Sequence, residues 1–62
     1  MNKLFEIKLM NGKEFLTSYN WYTIPNVGDK LSLSESKIFI VKERLLPTTS
    51  SSNIIVLFGD VI

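Results

Sequence analysis

The fold follows most directly from residues 4–22, which read LFEIKLMNGKEFLTSYNWY. Apolar and polar side chains alternate from Leu4 to Met10, and a period of two residues is the signature of a β-strand. Asn11-Gly12 follows, and this dipeptide favours a type I′ turn, in which both central residues have positive φ. Lys13–Tyr22 is rich in residues that suit a pleated surface. The stretch therefore predicts a β-hairpin whose long second strand bends near residues 18–20.

Three further strands are predicted downstream of this hairpin. The loop Thr23–Asp29 precedes the first of them, because it contains a proline and ends in the turn dipeptide Gly-Asp. Pro47 ends the second of them, and a polar tract over residues 48–53 precedes the last strand. We expect Gly59-Asp60 to form a turn and Val61-Ile62 to add a short final pairing. The three strands are Lys30–Leu33, Lys37–Leu46 and Ile54–Phe58.

Five strands in 62 residues make up one domain, over residues 1–62. So few strands best protect their edges in one strongly bent sheet that closes on itself. The predicted fold class is therefore all-β, a small five-stranded antiparallel barrel. Because no helix is predicted between the third and fourth strands, an SH3-like topology is favoured over the OB-like alternative.

The composition limits both the stabilisation and the partners of so small a domain. The chain has neither cysteine nor histidine, so we expect no disulfide, no metal and no cofactor. Seven basic and six acidic residues give a net charge of +1, whereas nucleic-acid modules are usually strongly basic. No apolar run approaches the roughly 18 residues of a membrane span. We therefore expect a cytoplasmic protein without a membrane partner.

The residues of an enzyme are missing from this pattern. A nucleophilic site needs a base beside the nucleophile, and only Ser34, Ser36 and Lys37 form such a group in the sequence. A serine beside a lysine is also typical of any polar turn. Glu6 and Glu14 would face each other across the first hairpin, but the lysines beside them indicate charge pairing between strands. We expect no enzymatic activity.

An aromatic cluster late in the second strand is the most informative feature for function. Tyr19, Trp21 and Tyr22 lie within four residues, and both residue types are frequent hot spots of protein interfaces. Alternation places Tyr19 and Trp21 on one face and Tyr22 on the other, so the three cannot all enter one core. Two interpretations follow. Either Trp21 anchors the core together with Phe15 while Tyr22 covers an edge, or the cluster forms a protein-binding surface.

Basic residues support a second interpretation, nucleic-acid binding. Strict alternation places Lys42 and Arg44 on one face of the fourth strand, with Lys8 nearby. These side chains would contact phosphates around an aromatic platform. The alternative is a set of solvated charges that protects the edge of a sheet.

Residues 24–31 read IPNVGDKL. This segment resembles a loop of the form I-P-x-V-G-D/E-x-[IL] in many short, uncharacterised proteins of bacteriophages and bacteria, where it follows a hairpin and precedes an alternating strand. The resemblance covers Phe5–Arg44. In this loop Pro25 fixes the entry, Gly28 permits the chain reversal and Asp29 accepts hydrogen bonds from the turn. The resemblance implies a small β-barrel of phage origin and no defined activity.

These observations predict a non-enzymatic protein-binding module. As a phage accessory protein it would act in the host cytoplasm on a host or viral protein, through a strand edge and the anchors Tyr19, Trp21 and Tyr22. The alternatives are a nucleic-acid-binding barrel and a structural subunit of a larger assembly. Because 45% of this cysteine-free chain is hydrophobic, we also expect it to gain stability by forming a homodimer.

Overall fold

A computed structural model describes residues 4–48 and 52–62. These residues form five strands and no helix, which confirms the all-β class. Residues 49–51, in the predicted polar loop, lie outside the described part, as do residues 1–3. The strands are β1 (Phe5–Asn11), β2 (Glu14–Trp21), β3 (Lys30–Ser34), β4 (Lys37–Leu45) and β5 (Ile54–Val61).

All five strands belong to one sheet with the order β2-β1-β5-β4-β3. Three neighbouring pairs are antiparallel, but β1 and β5 run parallel, with Ile7 opposite Ile55 and Leu9 opposite Leu57. The prediction of an entirely antiparallel sheet is therefore wrong at this pair. No short turn joins β1 to β5, so local turn chemistry does not set their relative direction.

The sheet is curled into a half-barrel and does not close. Strands β2 and β3 are its two edges, and no Cα atom of β2 lies within 8 Å of a Cα atom of β3. Hydrogen-bonded strands lie about 4.7–4.9 Å apart, so these two edges are not paired with each other. The predicted closed barrel is thus replaced by an open one.

The hydrophobic core lies on the concave face of this half-barrel. Alternate residues of the three central strands point into it, as the period-two pattern predicted. Burial of such a side chain stabilises the fold by about 1.5–3 kcal/mol before entropy is counted. The fully buried residues are Ile7, Leu9, Phe39, Val41, Ile55 and Leu57, and the half-buried residues packed on them include Phe5, Leu16, Tyr19, Ile24, Leu31, Leu33 and Val61.

The described strand pairs contain three register shifts, and the two on β2 and β4 change which residues share a face. On β2, Leu9 pairs with Thr17 and Met10 with Phe15, so Leu16 is the extra residue. Such a bulge bends its strand, and it lies on the N-terminal side of the bend predicted at residues 18–20. On β4 the extra residue is Lys42, between the partners of Gly59 and Phe58.

The first hairpin forms where the sequence predicts it, but its turn is of another type. Strand β1 extends to Asn11, which pairs with Glu14, so the two loop residues are Gly12 and Lys13. Gly12 has φ of 61°, and no non-glycine residue in the described ranges has positive φ. Positive φ at the first central position alone is the pattern of a type II′ turn, which favours glycine there.

The predicted turn at Gly59-Asp60 is wrong, because β5 continues through both residues to Val61. Gly59 lies opposite Val41. A Cβ atom at this position would collide with the carbonyl oxygen of Ile40, so glycine is needed for a close approach between strands. The predicted final pairing does form, since Ile62 and Ile38 exchange two backbone hydrogen bonds of 2.8 and 3.1 Å.

The loop after β2 has the turn chemistry expected of its sequence. The backbone N–H of Asn26 donates to Oδ2 of Asp29 at 2.8 Å, and the N–H of Asp29 donates back to the carbonyl of Asn26 at 3.0 Å. Gly28 adopts φ of 96°. Its N–H donates to the carbonyl of Val41 at 2.8 Å, and the N–H of Val41 donates to the carbonyl of Asp29 at 3.0 Å. These bonds tie the loop to β4 and fix it beside the end of β2.

Candidate functional site

The open seam between β2 and β3 forms a continuous cleft. Three adjoining cavities of about 510, 450 and 460 Å³ lie along it. The first two share Tyr19 and Leu31, and the second and third share Thr17 and Leu33. We call this feature the edge cleft. Its lining includes Leu9, Leu16, Thr17, Tyr19, Trp21, Ile24, Leu31 and Leu33.

Both walls of the edge cleft are unpaired strand edges. Within residues 4–48 and 52–62, β2 pairs only with β1, and β3 pairs only with β4. An edge strand presents a row of unpaired N–H and C=O groups on its free side. The free sides of β2 and β3 thus border a cleft whose deepest residue, Leu9, is apolar and 2% exposed. This arrangement suits an extended backbone with apolar side chains.

The aromatic cluster lies at one end of the edge cleft. Tyr19 is half-buried and packs on the core, whereas Trp21 is 56% and Tyr22 50% exposed. The ring centroids of Trp21 and Tyr22 are 5.9 Å apart, with an angle of 57° between the ring planes. Tyr19 and Trp21 line the same cavity with Ile24 and Pro25. The two exposed rings form one aromatic surface beside the cleft.

This geometry excludes one of the two interpretations of Trp21. The expectation that the three aromatic residues cannot all enter one core is confirmed. The alternative in which Trp21 anchors the core together with Phe15 is wrong, because Phe15 is 55% exposed as well. Strand β2 is an edge strand, and the core centres on β1, β5 and β4, so the end of β2 lies beyond its cover. The role of the cluster in binding stays a prediction.

Polar groups mark both ends of the edge cleft. Asp29 and Lys30 lie at the aromatic end, and Glu14 and Lys37 lie at the opposite end. Burial raises the pKa of Tyr19 above its ordinary value of 10.0, because removal from water disfavours the phenolate. Tyr19 therefore stays neutral at physiological pH and offers a hydroxyl group that both donates and accepts hydrogen bonds.

The basic residues of the second interpretation do not form a stripe. The bulge at Lys42 places Arg44 opposite Leu57, a core residue, so Lys42 and Arg44 do not share a face. Lys42 instead lies 3.6 Å from a carboxylate oxygen of Asp60. The bulge is responsible, since one extra residue reverses the alternation that follows it.

The strand register also separates the two glutamates of the first hairpin, Glu6 and Glu14. Lys8 lies 3.8 Å from a carboxylate oxygen of Glu6. Glu6 pairs with Asn20 and Glu14 with Asn11, so the two glutamates lie at opposite ends of the hairpin and not across from each other. Among residues 4–48 and 52–62, no three acidic side chains cluster in a way that would hold a metal ion. Within the same ranges no helix is available to cross a membrane.

Sequence reasoning did not assign Ile24, Leu31 and Leu33 to the site. Ile24 belongs to the IPNVGDKL loop, and the two leucines alternate with polar residues on the third strand. Their alternation with polar residues signals a half-buried strand. It does not reveal that β2 lies across from them, because the two strands are not neighbours in the sheet.

No protein-family model matches this chain, and no curated protein and no solved structure matches it either. The resemblance to phage and bacterial proteins therefore stays a prediction.

Proposed function

We propose that this chain is a non-enzymatic protein-binding module that holds an extended segment of its partner in the edge cleft. The observation that carries the proposal is the meeting of two unpaired strand edges over an apolar floor, with Trp21 and Tyr22 exposed at one end. The partner is a host or viral protein if the chain is a phage accessory protein. We still expect the half-barrel to be SH3-like in its topology.

The segment would bind by β-strand addition. In this mode backbone hydrogen bonds supply much of the affinity, and pockets for alternate side chains supply specificity. The strand directions around the sheet make β2 and β3 antiparallel to each other. An added strand therefore runs antiparallel to one wall and parallel to the other. Its alternate side chains would face Leu9 and Leu31, and the others would face solvent.

The aromatic residues would anchor one end of the segment. Trp21 and Tyr22 offer rigid, amphipathic area, and hot-spot residues of this kind contribute about 2 kcal/mol or more to binding. Tyr19 would contact the segment from the wall of the cleft, with its hydroxyl available for hydrogen bonding. The three predicted binding residues thus act at one end of a single groove.

Linear peptides provide a direct test. Peptides selected from a random linear library on the immobilised chain are titrated against it, and Trp21, its one tryptophan, reports binding by fluorescence. We expect selected peptides to share apolar residues at every second position. Replacement of Tyr22 with alanine, which leaves the reporter in place, should weaken binding about 10-fold or more, as expected for a loss above 1.4 kcal/mol. Calorimetry with Trp21→Ala should show a similar or larger loss.

The matched control is Phe15→Ala, because Phe15 lies on the same strand with similar exposure but on the other face of the sheet. Its affinity should stay close to that of the unchanged chain. Two peptide series are N-methylated at every second residue, one at the odd and one at the even positions. One of the two series should lose binding, since a methylated amide cannot donate a hydrogen bond to a strand edge. Full binding of both methylated series, or of the Trp21→Ala variant, would contradict the proposal.

Salt separates this function from nucleic-acid binding. Phosphate contacts weaken steeply as salt rises, because neutralised phosphates release counterions. Binding of an extended apolar segment should change little between low and physiological salt. A high-affinity gel shift with single-stranded or double-stranded nucleic acid that disappears with salt would favour the basic residues Lys8, Lys42 and Arg44 instead.

A further inference from the structure

Among the described residues, the convex face of the sheet carries a group of apolar side chains, of which three are exposed and three are half-buried. They occupy the positions that alternate with the core residues on β1, β5 and β4, and they include one residue of β2. Leu45 is 58% exposed, Phe15 55% and Ile54 41%. We call this surface the convex patch. Its members are Met10, Phe15, Leu45, Ile54, Val56 and Phe58.

The strand register makes the convex patch continuous. Phe15 pairs with Met10, and Met10 pairs with Phe58, which forms one row across β2, β1 and β5. Val56 pairs with Leu45 in the neighbouring row. Cross-strand neighbours of this kind lie about 4.5–5.5 Å apart, so their side chains are in contact range.

A shallow groove extends the convex patch at the C-terminal end of β4. It has a volume of about 390 Å³, and its lining includes Leu45, Leu46, Pro47, Ile54 and Val56. Leu46 is itself exposed. Soluble monomers rarely expose a contiguous apolar patch larger than a few hundred Å², and larger ones usually mark an interface.

The charges beside the convex patch are of both signs. Glu6 and Lys8 lie next to it on β1, Lys42 and Asp60 lie next to it on β4 and β5, and Glu43 lies opposite Phe58. All five side chains are substantially exposed. In a symmetric contact each subunit presents the same surface, so a lysine of one copy can approach a carboxylate of the other. A partner whose surface carries one sign of charge would meet repulsion either from the three acidic groups or from the two basic groups.

We propose that the convex patches of two copies of this chain pack face to face about a two-fold axis and form a homodimer. A standard protein interface covers about 800 Å² on each partner, which is about one-sixth of the 4632 Å² surface of the chain. The two longer dimensions of the chain are 34 and 23 Å, so a contact of this area would occupy most of one broad face. Two sheets packed in this way lie about 10 Å apart and share one apolar layer.

Dimerisation would also give this small domain a second core. The chain has no cysteine, and its single sheet buries apolar residues on the concave face only. Domains of this size commonly depend on a disulfide, a metal or an oligomeric partner for stability. Because the edge cleft opens between β2 and β3 and the convex patch lies on the other face, the dimer leaves the proposed peptide site accessible.

Sedimentation or light scattering over a wide concentration range tests this proposal. We expect a mass that approaches twice 7.1 kDa as the concentration rises. Leu45→Lys and Phe15→Lys should each shift the chain to the monomer, because a lysine in the apolar layer is an unpaired buried charge. Both side chains are exposed in the monomer, so each variant should remain folded. Circular dichroism checks this. Trp21→Lys is the matched control and should stay dimeric.

Single cysteines give a second readout that does not depend on loss of association. The absence of native cysteine makes each introduced thiol unique. Leu45→Cys should yield a covalent dimer with a short bismaleimide linker, whereas Val27→Cys, at an exposed loop position, should not. A chain that is monomeric at every concentration overturns the proposal. So does a dimer that Trp21→Lys disrupts while Leu45→Lys and Phe15→Lys leave it intact, since that result places the contact at the edge cleft.

Discussion

The two faces of the sheet carry similar residues but have opposite surroundings. Phe39 and Ile38 are neighbours on β4, and both suit a strand, yet Phe39 is fully buried and Ile38 is 39% exposed. The concave face receives half-buried residues from both edges and from the loop at Ile24. The convex face receives none of them. Consecutive apolar residues on a strand therefore give the sheet two apolar faces. The curl of the sheet determines which of these faces becomes the core.

The closest packing on the concave face gives the largest expected effect. Gly59→Ala would place a Cβ atom against the backbone carbonyl of Ile40 and 2.8 Å from the Cζ atom of Phe39. Overpacking of this kind costs about 3 kcal/mol or more when the backbone must move. A domain of this size has a total stability of about 3–9 kcal/mol. We expect Gly59→Ala to be largely or fully unfolded in urea titrations followed by circular dichroism.

The control for this variant is Gly12→Ala in the first hairpin. An added methyl group at Gly12 meets open space, and the cost comes only from its positive φ of 61°. That strain is about 1–2 kcal/mol for a non-glycine residue. If both variants lost the same stability, the distinction between a packing glycine and a turn glycine would be wrong.

Local sequence signals predicted the features that depend on neighbouring residues. The hairpin at Gly12, the alternation on β1, and the loop in which Asp29 accepts a hydrogen bond all follow from residues a few positions apart. The prediction that Tyr19, Trp21 and Tyr22 cannot all enter one core followed from the same logic, and Trp21 and Tyr22 are exposed. These features depend on the residue preferences of turns and on the two-residue alternation of side chains, which neighbouring residues determine.

Features that depend on distant segments could not be predicted in the same way. The parallel pairing of β1 with β5 brings together strands with no direct connection, and the role of Gly59 depends on the approach of Ile40. The bulge at Lys42 shifted Arg44 away from its expected face. The edge cleft joins β2 to β3, which are not neighbours in the sheet. In each case the deciding contact joins residues that no local pattern connects.

The next prediction compares the two faces at adjacent positions. Phe39→Ala removes a fully buried ring and should lower the free energy of unfolding by about 3–5 kcal/mol, as expected for a large-to-small change in a core. Ile38→Ala removes a partly exposed side chain and should cost about 1 kcal/mol or less. Urea denaturation at low chain concentration, where association is weakest, measures both. Equal losses would show that the convex face is as buried as the concave face under these conditions.

The smallest expected effect is a pH dependence from Tyr19, whose hydroxyl lies on the wall of the edge cleft. Burial raises the pKa of Tyr19 in the folded chain above its ordinary value of 10.0, so the folded state holds this proton more tightly than the unfolded state. The stability that this provides is fully present below pH 10.0. It is lost as the pH rises through the raised pKa of the folded chain, because the unfolded state gains free energy by ionising first.

The measurement compares the alkaline loss of stability between variants and does not interpret a single curve. Tyr19→Phe should remove one component of the alkaline loss of stability, and Tyr22→Phe, which keeps Tyr19, should retain that component. A peptide seated in the edge cleft would bury Tyr19 further and raise its pKa again, so peptide affinity should also fall at alkaline pH in the unchanged chain and less so in Tyr19→Phe. If the alkaline decline in affinity were the same in both, the bound segment would not cover Tyr19, and the occupied groove would lie elsewhere on the half-barrel.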